Sequence, residues 1–217
     1  AIKILGYFVE HSSENLPHDF KENVYKYVVN GIRQNSRNAA FALNQFTNND
    51  GDIIMENMQD LMQLIYEKLE SLSKKKAISS VAFIDNLVAA LGEIRRCVLN
   101  DEFPISEFGP ICLSLMPARE DNAVNLDMMK FYIWLANAMQ MQPANEFATV
   151  AIKLFMVPRS EIGGIAEDDS GTLDEVASIL VNCLQLIGDD AENLIVSVCE
   201  NDPFKVERIK SVINPVE

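Results

Sequence analysis

The stretch PHDFKENVYKYVVNGIRQNSRNAAFALNQFT, residues 17–47, decides the fold. In its first half Phe20, Val24, Val28 and Ile32 recur at four-residue steps with Tyr27 beside them. In its second half Ala39, Ala40, Ala42, Leu43 and Phe46 follow the i, i+3, i+4, i+7 rule of an amphipathic helix. Gln34-Asn35-Ser36 supplies a tight turn between them, so the stretch predicts two antiparallel helices with one apolar stripe each. The alanines of the second helix allow close backbone approach. A hairpin this short cannot bury both stripes alone and needs neighbours of its own kind.

Such neighbours are predicted on both sides. Residues 2–11, with Ile4, Leu5, Phe8 and Val9 on the apolar side, read as the second helix of a preceding hairpin, so the sequence starts inside a helical pattern, as a fragment would. Downstream, Asp52 is placed as the N-cap of a helix running to about Leu72 through Ile54, Met58, Leu61, Ile65 and Leu69, with Ser73-Lys74-Lys75-Lys76 as the loop that ends it. Its partner covers residues 77–98, with Ile84, Val88, Leu91, Ile94 and Val98 as the stripe, until Pro104 breaks the pattern. Ser106 is placed as the cap of a helix through Met116, and Pro117 to Asp121 as a turn. Residues 122–141 follow, carrying Val124, Met128, Phe131, Leu135 and Ala138, and then 145–156. The stretch from Pro158 to Gly171 is the longest irregular one. Thr172 to Glu175 has the spacing of a capping box, Gly188 stops that helix, and Asp202-Pro203 supplies the cap and first-turn proline of the last helix.

First helices thus begin near residues 17, 52, 106 and 144. Their spacing is roughly 35 to 55 residues, against about 40 to 47 for HEAT-type units. No run alternates with period two for long enough to make a buried strand. The expected fold class is all-α, an α-solenoid of HEAT-like antiparallel hairpins, with residues 1–217 as one array of about four to five hairpins.

Composition narrows the function classes. With 48% hydrophobic residues the chain can bury a substantial core. Eighteen Lys plus Arg against 32 Asp plus Glu give a net charge of −14, which argues against nucleic acid or an anionic membrane and for basic partners. No apolar run reaches the length of a membrane span, and the N-terminus lacks signal-peptide layout. Cys97, Cys112, Cys183 and Cys199 lie in apolar helical runs without metal or disulfide spacing, pointing to a reduced, intracellular protein.

No catalytic constellation is found, so an enzyme is not expected. His11 and His18 have no metal-ligand spacing to each other or to a cysteine and read as solvated turn residues. Gly163-Gly164 is not followed by a phosphate-cradling pattern. Asp168-Asp169 and Asp189-Asp190 lack the alternating oxygens of a calcium loop, and the nine methionines read as core filling. No cofactor is expected. Residues 160–204 contain no Lys or Arg but eleven acids. Among these Asp168, Asp169, Asp174, Glu175, Asp189 and Asp190 are the candidate surface for a basic partner; the competing reading is a solvated acidic segment that keeps the protein soluble.

The residues also carry a resemblance. Asn35-Ser36-Arg37-Asn38-Ala39-Ala40-Phe41-Ala42-Leu43 resembles the second-helix signature of HEAT repeats, in which an Arg precedes paired alanines and a Leu. Ile4-Leu5, then Glu10-His11-Ser12-Ser13, Phe20 and the helix from Tyr25 to Ile32 resemble the C-terminal third of importin-β (karyopherin-β) receptors of the importin-5 type. The likeness continues through residues 84–98 and 117–135, covering about residues 2–140. It implies nuclear import in cytoplasm and nucleus: cargo on a concave surface of second helices, phenylalanine-glycine nucleoporin segments between first helices, and release by GTP-bound Ran. Contacts with Ran and nucleoporins in that family lie largely in earlier repeats, so this piece is expected to be cargo-side or structural. The alternative is a HEAT scaffold of another kind, such as a phosphatase scaffold subunit or assembly adaptor.

Overall fold

The structure, a computed structural model, describes Ile4, Gly6, Tyr7, His11 and residues 16–75, 80–162 and 171–214. The fold is all-α, its helices packed against one another as in a helical repeat, and no strand occurs among the described residues. The chain divides into two compact units, Ala1–Asp121 and Asn122–Glu217.

The first unit contains α1 (His18–Arg33), α2 (Arg37–Asn49), the short α3 (Gly51–Glu56), α4 (Met58–Lys75), α5 (Val81–Ile94) and α6 (Ile105–Leu115). The predicted hairpin is formed by α1 and α2. Its turn closes with Ser36 N–H donating to Gly31 O at 2.9 Å and Asn35 N–H to Ile32 O at 3.0 Å. Asn35 takes a positive φ of 57°, the left-handed C-terminal geometry that asparagine tolerates. Second helix stacks on second helix, α2 against α5, and first on first, α4 against α1 and α6. Val24, Val28 and Ile32 meet Ala39, Ala40, Ala42, Leu43 and Phe46 in the core, and all are buried. Ile54, Leu61, Ile65, Leu69 and Leu72 and then Ile84, Val88, Leu91 and Ile94 are buried as the period requires, while Met58 and Val98 of the same stripes are only half-buried. Close approach is used at Ala42, where a Cβ on the buried Gly6 would lie 3.1 Å from the Ala42 Cα.

Local expectations need correction. Phe20 is exposed, because steps of four residues advance about 40° each around a helix and carry it well round from Ile32. Ile4 is exposed too, while Leu5, Phe8 and Val9 lie outside the described residues. Asp52 is not a cap: α3 begins at Gly51, and the preceding Asp50 gives its carboxylate to Lys21 of α1. The single helix read from Asp52 to Leu72 is two, broken at Asn57, whose side-chain amide donates to Ile53 O at 2.9 Å. Ser73, Lys74 and Lys75 continue α4 rather than end it, and Lys74 pairs with Glu70 one turn back at 3.0 Å; Lys76 lies outside the described residues. Ser106 is helical, with Pro104 at the cap position and its carbonyl accepting from Glu107 and Phe108. After α5 the backbone widens into a π-helical turn over Arg95–Leu99 instead of continuing as α-helix.

The second unit contains α7 (Asn125–Ala138), α8 (Ala144–Met156), α9 (Gly171–Ile187), α10 (Ala191–Val198) and α11 (Pro203–Ile213). Central α9 packs on all four of the others. Val124, Met128, Phe131 and Leu135 are buried, but Ala138, the last residue of its helix, is exposed. Tyr132 is fully buried, its hydroxyl donating to Phe147 O at 2.8 Å. Thr172 is not a cap, since α9 already begins at Gly171. Gly188 stops that helix at φ 69°, and Asp202 caps α11, accepting from Phe204 N–H at 2.9 Å with Pro203 in the first turn.

Candidate protein-binding surfaces

The acidic candidates all belong to the second unit. Asp168 and Asp169 lie outside the described residues, as do Gly163 and Gly164. Asp174, in the first turn of α9, and the adjacent Glu175 are exposed, whereas Asp189 and Asp190 are exposed in the turn Gly188–Asp190 that follows its last residue. A helix of 17 residues is about 25 Å long, so the two pairs stand at opposite ends of one rod rather than in one patch. That separation exceeds the ~8 Å screening length at physiological salt. Both pairs also sit where a helix dipole favours anions, ahead of or within the first turns of α9 and α10. Two cations that follow the acidic stretch fold back on it: Lys210 pairs with Glu192 at 3.4 Å and Lys205 with Glu200 at 3.1 Å. Glu200 holds the Lys205 ammonium above its ordinary value by accepting its hydrogen bond. The sequence shows these acids without basic neighbours because the offsetting lysines belong to the next helix.

A second surface lies in the first unit, between the first helices α1 and α4. There Tyr25, Lys26, Val29 and Arg33 face Asn57, Asp60 and Leu61 across a pocket of about 180 Å³. Tyr25, which lines it, is edge-on to Phe46 with ring centroids 6.3 Å apart. Burial, and then the Asp60 carboxylate, push the Tyr25 phenol up to about 12, with Arg33 pulling the other way. The lining thus sets Tyr25, Val29 and Leu61 among charges of both signs. The chain matches no protein-family model, no curated protein and no solved structure. The helix break at Asn57 brings that residue to the pocket wall, and the periodicity of residues 52–72 gave no sign of it.

A third group of polar residues holds the first unit together. The Asp85 Oδ2 accepts the successive backbone N–H groups of Arg119, Glu120 and Asp121 at 3.1, 2.9 and 3.1 Å. The Asp121 carboxylate in turn accepts from Arg37 Nη2 at 2.6 Å and Asn86 Nδ2 at 2.7 Å. Arg37 of the HEAT-like signature is therefore a clasp between α2 and the turn before residue 122. Burial pushes the Asp85 carboxyl up, against the three N–H bonds that favour its anion. Its other oxygen, Oδ1, is buried with no hydrogen-bond partner among the described residues.

His11 and His18 both lie on helix, correcting their reading as turn residues, and both are exposed. His18 opens α1 with Nε2 3.5 Å from Glu22 Oε1 and 3.9 Å from Glu56 Oε2. Burial holds the Cys97 thiol above its ordinary value, the opposite of an activated nucleophile.

Proposed function

We propose that this chain is a HEAT-repeat piece of a nuclear transport receptor of the importin-β kind that holds protein cargo without catalysing a reaction. The observation that carries this reading is the two-row layering of the first unit, with α2 stacked on α5 and α4 on α1 and α6. Such rows present long helical faces to a partner. The net charge of −14 favours Lys/Arg-rich cargo, and the groove between first helices α1 and α4 is where a phenylalanine-glycine segment would be sought. Ran and nucleoporins are partners of the whole receptor in nucleus and cytoplasm.

Fluorescence anisotropy with a Lys/Arg-rich peptide, a phenylalanine-glycine peptide and GTP-loaded Ran tests the proposal. The basic peptide should bind at low salt and weaken steeply towards physiological ionic strength. Reversing Asp174 with Glu175, or Asp189 with Asp190, should each weaken it. Because the pairs stand at opposite ends of α9, the two effects should add within about 0.5 kcal/mol. No binding of any of the three probes at low salt would sink the transport reading and leave a scaffold of another kind.

A further inference from the structure

We propose that His18, Glu22 and Glu56 form a zinc site that ties the start of α1 to the end of α3. His18 is the first residue of α1, Glu22 stands one turn later on the same face, and Glu56 is the last residue of α3. One ligand atom from each lies within 4.8 Å of the other two. The imidazole Nε2 is 3.5 Å from Glu22 Oε1 and 3.9 Å from Glu56 Oε2. Ligands about 2.0 to 2.1 Å from a tetrahedral ion sit roughly 3.3 Å from one another, so rotamer adjustments of these surface side chains, whose ligand atoms are within 4.8 Å of one another, bring them to three corners. Water takes the fourth.

The donor set narrows the metal. One imidazole nitrogen with two carboxylates suits zinc and is a poor site for magnesium or calcium, which prefer oxygen ligands alone. The fold also brings two like charges from different helices towards one nitrogen, which a cation between them would offset. The scaffold is fixed beforehand: α1 and α3 pack together, Ile53 and Ile54 of α3 are buried, and Lys21 of α1 holds Asp50 at the start of α3. Glu22 offers its other oxygen to Lys26 at 3.4 Å, which leaves Oε1 for the ion and moderates affinity by placing a positive charge nearby. His18 and Glu56 are exposed and Glu22 is half-buried, so an ion enters without opening the core. Asn57, next to Glu56, lines the pocket between α1 and α4, so occupancy would brace that wall. The site does not depend on the transport reading.

The competing state is His18 paired with both glutamates and no ion between them, and the test separates the two. Zinc chloride is titrated into the chelator-stripped chain near neutral pH, in a Cys97→Ser background that removes the exposed thiol. Calorimetry should give one ion per chain. In NMR spectra the His18 ring resonances should shift while those of His11 stay. Glu22→Gln and Glu56→Gln should each weaken zinc by about 10-fold or more, and His18→Ala should abolish the site. An unmoved His18 ring under excess zinc would overturn the assignment. So would equal affinity in the Glu56→Gln variant, or an equal response to magnesium.

Discussion

Asp85 sits at 0% exposure in α5 with three amides of the 119–121 turn on one oxygen. Asp85→Ala strands those donors and should cost about 2 to 4 kcal/mol in urea unfolding near neutral pH. Asp85→Asn keeps a carbonyl acceptor and removes a buried charge, and should fall within about 1 kcal/mol of the parent. The pH dependence follows from the upward displacement of its pKa. Through the window above the ordinary carboxylate value the folded state binds more protons than the unfolded one. The stabilisation from this group is therefore full at acid pH and is lost as pH rises through the folded value. Urea midpoints of parent and Asp85→Asn, compared across that window, should converge on the acid side and separate in the variant's favour above it. The Asp85-Asn86 interruption of an apolar run is visible in the sequence. Its partners are not, because they lie 34 to 36 residues further on, beyond the reach of helical periodicity.

Among elements, the α1–α2 hairpin was the most legible, since both its stripes and its turn are local properties of residues 17–47. Leu43 is fully buried in it. Leu43→Asp should cost at least about 3 kcal/mol by burying an unpaired charge, and unchanged thermal stability would contradict the assigned core face. The cap of α11 was equally legible, because Asp202-Pro203 encodes it in two residues; Asp202→Ala should cost about 1 kcal/mol. Illegible were the break at Asn57 and the π-helical turn at Arg95–Leu99. In both places the apolar period runs on while the backbone departs from it, through a side-chain amide at Asn57 that competes for a main-chain carbonyl. The acidic candidates show the same limit. Their composition is plain in the sequence, but their distribution along α9 and the return of Lys205 and Lys210 exist only once helices pack.

Over the whole molecule, the all-α class follows from a pattern sustained along most of the chain, whereas the surfaces depend on which helix ends meet. The cysteines report on both units. Cys97 is exposed, and Cys112, Cys183 and Cys199 are each at 0% exposure. Burial also holds the Cys112 thiol far above its ordinary range and raises Cys183 to about 11, so neither is ionised near neutral pH while the helices stay closed. Alkylation followed by mass spectrometry should find Cys97 modified first, at a rate its raised pKa slows, and the other three protected. Cys199 directly follows α10, only 8 residues long, and should unmask before Cys183 in the interior of α9; equal rates would mean the second unit opens in one step. Cys112 meanwhile belongs to the first unit, and Cys183 and Cys199 to the second. The chain thus carries an internal clock for each half: the order in which its sulfurs take up label reads out which unit breathes first, with no probe added by mutation.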